Sequence, residues 1–334
     1  MCNNRPLASI YVRLHNQRQY VEALLDATFR QTYRPLEIVI SDDGSTDGSD
    51  KIINDCIVRL SKLYPDIKVI NNRNEPKLGM FLNGVKAQCL SHGELMIQQD
   101  GDDLPAPNRV ERIVSAWVKG GKKALAIYHD AWRIDLSGNK MGSLSREYFI
   151  NRTMGAVSTY ARALLNYYDP VSIDGAVEDV TYGNRARFLD GIMYLKEKLL
   201  YYRVGSGASS GWHDYRKRQL LVYRRDKKPA LEQGLIDIEH VKHRMKLEDY
   251  NKYKSYLENE ISYCNAAIDL MSGDTFRERL SAYKKLNGGS TSRRLLNIVF
   301  LLPHKLCDIF LNGGSNLLAK VIRLRAKLSR SPVE

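Results

Sequence analysis

The chain has 334 residues, a formal net charge of +13, and contents of 43% hydrophobic and 27% charged residues. These values describe an ordinary globular protein with room for two domains, or for one domain with an extension. No stretch reaches the roughly 18 uninterrupted apolar residues of a membrane-spanning helix, and the N-terminus has no long apolar run typical of a secretory signal. A cytoplasmic protein is therefore expected.

The cysteines form neither a CxxC pair nor a zinc-binding spacing, and they stand at Cys2, Cys56, Cys89, Cys264 and Cys307. Scattered cysteines of this kind are typical of reduced thiols in a cytosolic protein. The sequence also lacks a P-loop, a GxSxG elbow, an HExxH motif and a dinucleotide-binding GxGxxG after a strand. These absences argue against several common nucleotide and hydrolase sites.

Short apolar runs alternate with helical patterns in the N-terminal third of the chain. The runs are Leu7–Val12, Leu36–Ile40, Lys68–Ile70 and Leu95–Ile97, and the helical patterns cover residues 20–29, 52–60 and 79–91. Strands that alternate with helices of this length indicate a parallel, doubly wound sheet. In such sheets ligands bind beyond the carboxyl ends of the strands.

Polar residues follow three of these strands directly, and the densest group is the acidic turn after the fourth. It contains Asp100, Asp102 and Asp103. Like charges this close raise one another's pKa, so a cation that neutralises them is expected. Carboxylate oxygens suit Mg²⁺ or Mn²⁺, which often accompany a phosphate-bearing substrate. A solvated acidic loop is the alternative that these residues alone leave open.

The middle of the chain continues with less regular elements. A stripe of Val110, Ile113, Val114 and Trp117 predicts a helix packed on the core. Residues 124–128 predict a strand, 135–140 a hairpin turn, and 155–165 a strand followed by a helix. A last strand, 199–202, ends at Arg203 and precedes a Gly/Ser-rich loop at 205–211, which is expected to be mobile.

A second acidic pair, Glu178 and Asp179, opens a helical stretch about eighty residues after the first acidic group. If both groups face one crevice, one would serve a metal and the other would act as a general base. The alternative is a helix N-terminus at which acidic residues favour the macrodipole.

From about Leu7 to about Ser210, the sequence resembles the family 2 glycosyltransferases of the GT-A fold. The motifs stand in the family's order, from Ser9–Val12, Asn16, Gln31–Tyr33 and Leu36–Asp47 through Gly79, Asn83, Gly93-Glu94, Asp100–Asp103 and Pro107 to Ile134-Asp135, Gly138, Glu178-Asp179 and Tyr202-Arg203. The resemblance implies an α/β fold with a Rossmann-like mixed sheet flanked by helices. This catalytic domain would span residues 1–214, with a helical, basic extension at 215–334.

The resemblance also implies a nucleotide-sugar donor and a Mn²⁺ or Mg²⁺ cofactor. Asp43 would hold the base with help from the backbone around Arg13. Asp100 would contact the ribose and Asp102 would bind the metal, with Asp100 as a second metal ligand. Gly79 and Asn83 match the family's donor-binding positions.

For the reaction itself, the resemblance implies that Asp179 deprotonates the acceptor hydroxyl for in-line attack with inversion. Glu178 would orient the acceptor or the base. Arg203 and the loop behind it would close over the diphosphate. His213 is a weaker candidate for a metal ligand or phosphate contact, because a single His beside Trp212 is more often packed or solvated. Asp103 is expected to be structural.

One motif departs from the family's usual pattern. The chain has Arg13-Leu14-His15-Asn16 where the family usually has Pro-Thr-Tyr-Asn. At this position the resemblance implies that Arg13 contacts the nucleotide of the donor.

The C-terminal extension lies outside the resemblance. Residues 229–247 and 250–270 predict amphipathic helices. Residues 291–334 carry eight Lys and Arg against two acidic residues, beside apolar stripes. This pattern favours an in-plane helix on an anionic membrane surface, with a terminal helix pair or a partner-binding helix as alternatives.

Together these features favour an inverting glycosyltransferase that moves a sugar, from a UDP- or dTDP-sugar, to a growing glycan. The acceptor expected from the family is a bacterial surface polysaccharide on a lipid carrier, at the inner face of the cell membrane. A sugar-1-phosphate nucleotidyltransferase is the alternative within enzymes, although Arg13–Asn16 lacks its Gly-rich loop. A basic nucleic-acid-binding protein is disfavoured, because the charge sits mostly in the tail and does not interleave with aromatics.

Overall fold

A computed structural model describes residues 5–145, 155–206, 215–286, 297–305 and 307. The chain divides into two compact units. The first contains residues 1–170, 178–210 and 240–245, and the second contains residues 171–177, 211–239 and 246–334. The domain boundary predicted after residue 214 lies at the edge of the undescribed stretch 207–214 and stays a prediction.

The first unit is built on one mixed sheet, to which nine strands contribute within the described residues. They are β1 (Ala8–Leu14), β2 (Leu36–Asp42), β3 (Lys68–Arg73), β4 (Leu95–Asp100), β5 (Leu104–Pro105), β6 (Ala126–Ile134), β7 (Lys140–Leu144), β8 (Ser158–Ala161) and β9 (Ile192–Arg203). The order is β3-β2-β1-β4-β8-β6-β9-β5, and β7 pairs with β6.

The N-terminal half of the sheet is parallel, as the alternating pattern predicts. β1 pairs in parallel with both β2 and β4, and β2 pairs in parallel with β3. All of β2 and nearly all of β1 and β4 are buried. Covered strands of a parallel sheet are apolar on both faces, which explains the continuous apolar runs in the sequence.

The other half of the sheet mixes strand directions. β8 runs antiparallel to both β4 and β6, while β6 and β9 pair in parallel. β9 begins at Ile192, seven residues before the predicted strand, and its first part is largely exposed or half-buried. That part contains the charged residues Lys196, Glu197 and Lys198. A search for apolar runs therefore misses the beginning of this strand. Pairing with β6 supplies the stabilisation that apolar burial does not.

Five helices of the described residues belong to this unit: α1 (Val21–Phe29), α2 (Ser49–Leu63), α3 (Met80–Leu90), α4 (Arg109–Lys119) and α5 (Glu178–Phe188). α3 packs on β1 and β2, and α1 packs on α2 and β5. The predicted core stripe of α4 is confirmed, since all four of its apolar side chains are buried. Short 3₁₀ turns at 155–157 and 162–167 flank β8, where the sequence predicts a strand and then a helix.

In the described part of the chain after β9, the longer helices are α6 (Tyr215–Leu221), α7 (Lys228–Val241), α8 (Leu247–Ser272) and α9 (Phe276–Lys284). α7 and α8 confirm the two predicted amphipathic helices. In the second unit, α8 and α9 enclose an apolar cluster that includes Leu270, Ala282, Phe300 and Cys307.

Two members of this cluster bear on the predicted membrane segment, 291–334. Phe300 and Cys307 are 4% and 0% exposed, so the start of the segment contributes to a protein core. Residues 308–334 lie outside the described residues, and their membrane contact stays a prediction. Within the described part of the chain, no helix is both long and apolar enough to cross a membrane.

Candidate active site

The carboxyl ends of β1, β2 and β4 meet at one edge of the sheet and bring three predicted site segments together. Arg13 pairs in register with Ser41 on one side and with Asp100 on the other. The residues that follow β2 and β4 directly are Asp43 and the turn at 101–103. The register of the strands therefore brings these segments together, as the sequence predicts.

The Arg13 side chain lies between the two acidic groups and contacts both. Its Nη2 and Nε donate to Oδ1 of Asp100 at 2.6 and 3.1 Å. Its Nη1 donates to Oε2 of Glu178 at 3.2 Å. The side chain is 12% exposed, and although burial lowers the pKa of Arg13, the two carboxylates raise it above its usual value. Arg13 is thus a fixed cation in this site.

Glu178, the first residue of α5, is buried and fully engaged. Tyr11 donates its hydroxyl to Oε1 of Glu178 at 2.6 Å, and Gln88 of α3 donates to the same oxygen. Burial raises the pKa of Glu178, and Arg13 opposes that rise. Three elements, β1, α3 and α5, are joined at this carboxylate, which anchors the N-terminus of α5 to the sheet.

Asp179 follows at the next position and is less constrained by side chains. Its Oδ1 accepts from its neighbour's backbone N–H, that of Val180, at 2.8 Å, and it also accepts from the backbone of Gly155. Burial raises the pKa of Asp179 to about 6, with Arg13 lowering it and Glu178 raising it further. A carboxylate with that pKa is ionised at neutral pH and is basic enough to take a proton.

The acidic turn after β4 places Asp102 at the site and Asp103 beneath it. Burial raises the pKa of Asp102, as does Asp100, while a 2.7 Å hydrogen bond from Ser206 to its Oδ2 opposes the rise. Asp103 is fully buried and accepts from the backbone N–H of Arg203 at 2.7 Å. Burial raises its pKa well above the usual range. These contacts give Asp103 the structural role expected of it.

The turn and the strand before it are supported by two buried arginines. Arg203 donates to the backbone carbonyl of Asp102 at 2.9 Å and to those of Asp135 and Leu136. Arg109, 1% exposed, donates to Gln99, to the Gln98 carbonyl and to His129. Burial lowers the pKa of Arg109 to about 10. The predicted contact of Arg203 with a diphosphate stays a prediction; its described contacts fix the acidic turn.

The predicted donor-binding residues after β2 form a second hydrogen-bonded group. Asp43 accepts from the backbone N–H groups of Leu78 and Gly79, both at 2.8 Å, and from Asn74. Asn83 exchanges hydrogen bonds with Ser41. Gly79 has a φ of +88°, which favours glycine. The group holds the 74–79 loop at the edge of the sheet, and its contact with a base stays a prediction.

The residues that could hold a divalent metal are the pair Asp100 and Asp102. No group of three or more His, Cys, Asp or Glu side chains suited to a metal occurs in the described parts of the chain. Two carboxylates nevertheless suffice for Mg²⁺ or Mn²⁺ when phosphate oxygens complete the coordination. The Asp100 carboxylate accepts its side-chain hydrogen bonds among the described residues at Oδ1, which leaves Oδ2 for a cation. His213 lies outside the described residues.

Several residues of the site were not predicted from the sequence: Tyr11, Gln88, Gln98, Arg109 and Ser206. For Tyr11 a signal exists, because side chains two apart on a strand share a face, and Tyr11 is two positions before Arg13. Gln88 and Arg109 lie on helices whose packing is needed to place them.

A test of this packing comes from Gly84, inside α3. A Cβ at this position would lie 2.7 Å from Oε2 of Glu178 and 3.2 Å from Cδ of Arg13. Gly-to-Ala changes inside helices usually stabilise by about 0.5–1 kcal/mol. Here the methyl group displaces a carboxylate held by three partners, so Gly84→Ala is expected to lower the free energy of unfolding by about 1–2 kcal/mol instead. Urea unfolding measures this change in the free energy of unfolding, with Lys86→Ala, at an exposed position of α3, as control. A gain in stability for Gly84→Ala would contradict the prediction.

The fold is that of the GT-A glycosyltransferases. The crystal structure of S. aureus TarS 1–349 with UDP-GlcNAc superposes with a TM-score of 0.57 at 17% identity, covering 96% of this chain and 88% of that one. A mannosyltransferase from Pyrobaculum calidifontis, PcManGT, solved with GDP-Man and Mn²⁺, gives a TM-score of 0.55 at 16% identity, covering 98% and 85%. The mixed sheet and helical C-terminal region predicted from the sequence are confirmed.

The sequence places the domain within that fold more narrowly. Residues 9–164 match the model of glycosyl transferase family 2, and this part of the chain is a family 2 glycosyltransferase domain. The putative glycosyltransferase EpsE of Bacillus subtilis is 33% identical over 116 residues, which cover 34% of this chain and 39% of that protein. The match thus spans well under half of that relative's length. The predicted resemblance to family 2 is thus confirmed for residues 9–164.

Proposed function

We propose that the protein is an inverting glycosyltransferase that moves a sugar from a nucleotide-diphosphate sugar to a hydroxyl of a growing glycan. The observation that carries the proposal is the contact of one side chain, Arg13, with both Asp100 and Glu178. It brings the acidic turn after β4 and the acidic start of α5 to the same edge of the sheet. A metal site and a base therefore lie within reach of one substrate.

Asp179 is the proposed base. It takes the proton of the acceptor hydroxyl as the oxygen attacks the anomeric carbon of the donor sugar. The bond from that carbon to the phosphate oxygen breaks on the opposite face, so the configuration inverts and the nucleoside diphosphate leaves with the electron pair. The pKa of about 6 that burial gives Asp179 keeps it ionised at neutral pH. Glu178 acts by fixing the start of α5.

Asp102 and Asp100 are the residues that would hold Mn²⁺ or Mg²⁺. Once bound, the metal supplies positive charge for the leaving diphosphate. The pKa of Asp102, which burial and Asp100 both raise, fits this assignment because a cation would relieve the same repulsion. The Mn²⁺ in the PcManGT structure supports the choice of metal.

The donor half of the site is assigned to Asp43, Gly79 and Asn83 for the base, with Asp100 on the ribose and Arg203 next to the diphosphate. A UDP- or dTDP-sugar is favoured by the resemblance in the N-terminal motifs. The TarS structure contains UDP-GlcNAc, which supports a uridine donor, whereas PcManGT contains GDP-Man. The acceptor we propose is a glycan, free or linked to a lipid carrier, because family 2 enzymes with these motifs commonly extend glycans.

A donor panel tests the proposal. UDP-, GDP- and dTDP-sugars are incubated with the full chain and Mn²⁺, and release of nucleoside diphosphate is measured with and without EDTA. Metal-dependent release from one donor class is the expected result. Release of pyrophosphate from a sugar 1-phosphate and a nucleoside triphosphate would identify a nucleotidyltransferase instead. Absence of turnover with every donor, in the presence of mixed glycan acceptors, would contradict the proposed function.

A further inference from the structure

Arg13 stands where the family usually has proline. Its hydrogen-bond donors are already engaged by carboxylates of the protein, which is not expected of a side chain that binds a ligand. It lies near the end of β1, and its guanidinium donates three hydrogen bonds to two carboxylates. One of these carboxylates belongs to the proposed metal and ribose site, and the other belongs to the helix that carries the proposed base. We propose that Arg13 is a positioning residue that holds Asp179 in register with the donor site; the inference rests on the proposed function.

The link from Arg13 to Asp179 has two branches. Through Glu178, Arg13 fixes the first residue of α5, to which Asp179 is the direct neighbour. The second branch runs through Gly155, whose Cβ, if present, would lie 3.3 Å from Nη2 of Arg13. The backbone of Gly155 hydrogen-bonds to the Asp179 carboxylate. The guanidinium therefore packs under both of the segments that hold the base.

The surroundings of Arg13 make it hard to replace. From β1 it is faced by Tyr11, from β4 by Asp100 and Gln98, and from α5 by Glu178 and Asp179. Its charge balances that of three carboxylates, of which that of Glu178 is buried. Removing one partner of a buried ion pair leaves an uncompensated charge, which displaces the remaining partner towards water. Without Arg13, the start of α5 would lose its ionic link to Asp100 of β4 and would be held at Glu178 by Tyr11 and Gln88 alone.

This role differs from donor binding in its kinetic signature. An interaction that only aligns the base is expressed in the transition state, so its loss lowers kcat and leaves the donor KM nearly unchanged. A ligand of the donor would raise KM instead. A lysine at this position retains the charge but not the planar fork that reaches two carboxylates, so its effect should be intermediate.

The experiment compares wild type, Arg13→Met, Arg13→Lys and a control, Arg112→Met. Arg112 also pairs with a carboxylate, that of Glu197 at 2.6 Å, but its side chain is 51% exposed and lies outside the site. With the donor that the wild type turns over, Arg13→Met is expected to lower kcat by about 30-fold or more and to change donor KM less than about threefold. Arg13→Lys should fall between these values, and Arg112→Met should match the wild type.

Amide hydrogen exchange of the donor-free full chain gives a readout that needs no activity. In Arg13→Met the amides at the start of α5, in the first turns that follow Glu178, should exchange about tenfold faster or more, while those of β2 stay unchanged. If no donor is turned over, the proposed function fails, and the exchange result alone decides the role of Arg13.

Two results overturn the positioning role. The first is a donor KM raised about tenfold or more in Arg13→Met with kcat retained, which would make Arg13 a donor ligand. The second is unchanged exchange at the start of α5. If Arg13→Met does not fold, Arg13→Lys decides: kcat within about twofold of wild type together with unchanged exchange overturns the proposal.

Discussion

Asp179→Asn is expected to lower kcat for sugar transfer by about 10²–10⁴-fold, the range typical of a lost general base. Asparagine keeps the shape of the side chain and can still accept from the backbone N–H groups of Val180 and Gly155, but it cannot take a proton. Binding of the nucleoside diphosphate should therefore remain within about threefold of wild type. Calorimetric titration with the diphosphate and steady-state kinetics measure the two quantities, with the exposed Asp55→Asn as control.

The dependence of wild-type activity on pH should follow the ionisation of Asp179. A base works only when ionised, and burial raises the pKa of Asp179 to about 6. The rate kcat/KM is therefore expected to rise about tenfold per pH unit below pH 6 and to level off above it. Any activity left in Asp179→Asn should lack this rise. A profile that is flat from pH 5 to pH 8, or a variant with more than about half the wild-type kcat, would contradict the assignment.

The same pKa predicts an opposite effect on stability. A carboxyl whose pKa is higher in the folded chain than in the unfolded chain favours folding when protonated, and this contribution is lost as pH rises through 6. At pH 8 the ionised Asp179 thus costs about 3 kcal/mol, which follows from a pKa raised by about two units. Asp179→Asn should raise the free energy of unfolding by up to that amount at pH 8 and by little at pH 4. Urea unfolding at both pH values measures it.

Site residues that lie at the carboxyl end of a strand could be predicted from the sequence, because the strands themselves could be predicted. The apolar runs of β1, β2 and β4 fix where each strand stops, and parallel pairing then brings Arg13, Asp43 and Asp100 to one edge. Helix α5 could also be predicted to begin at its acidic pair. The motif order added the roles that spacing alone leaves open.

The contacts between these segments could not be predicted. Arg13 and Glu178 are 165 positions apart, and no local pattern states that their side chains meet. Arg109 is similar: at the start of a helix a charged residue is normally solvated, yet here it is buried against Gln99 and His129. Such networks depend on how β4, β6 and α4 pack together, and this packing cannot be predicted from local patterns in a single sequence.

Asp102→Asn is expected to abolish the metal dependence of donor binding. The substitution removes the carboxylate that lies in the site and is opposed by Asp100, while Asn keeps its size. We expect the dissociation constant for Mn²⁺, measured with UDP present, to rise by about 100-fold or more, and kcat/KM to fall by at least as much. Asp55→Asn again serves as the control for a lost surface carboxylate.

Ser206 provides a graded companion to this variant. Its hydroxyl donates to Oδ2 of Asp102 at 2.7 Å, so it orients the carboxylate without being a ligand of the cation. Partners of metal ligands typically contribute about 10–100-fold to affinity when they are lost, and Ser206→Ala should lie at or below the lower end, since one neutral hydrogen bond is removed. Mn²⁺ affinity in the order wild type, Ser206→Ala, Asp102→Asn is the expected series. Equal affinity in all three proteins would place the metal elsewhere and remove Asp102 from the mechanism.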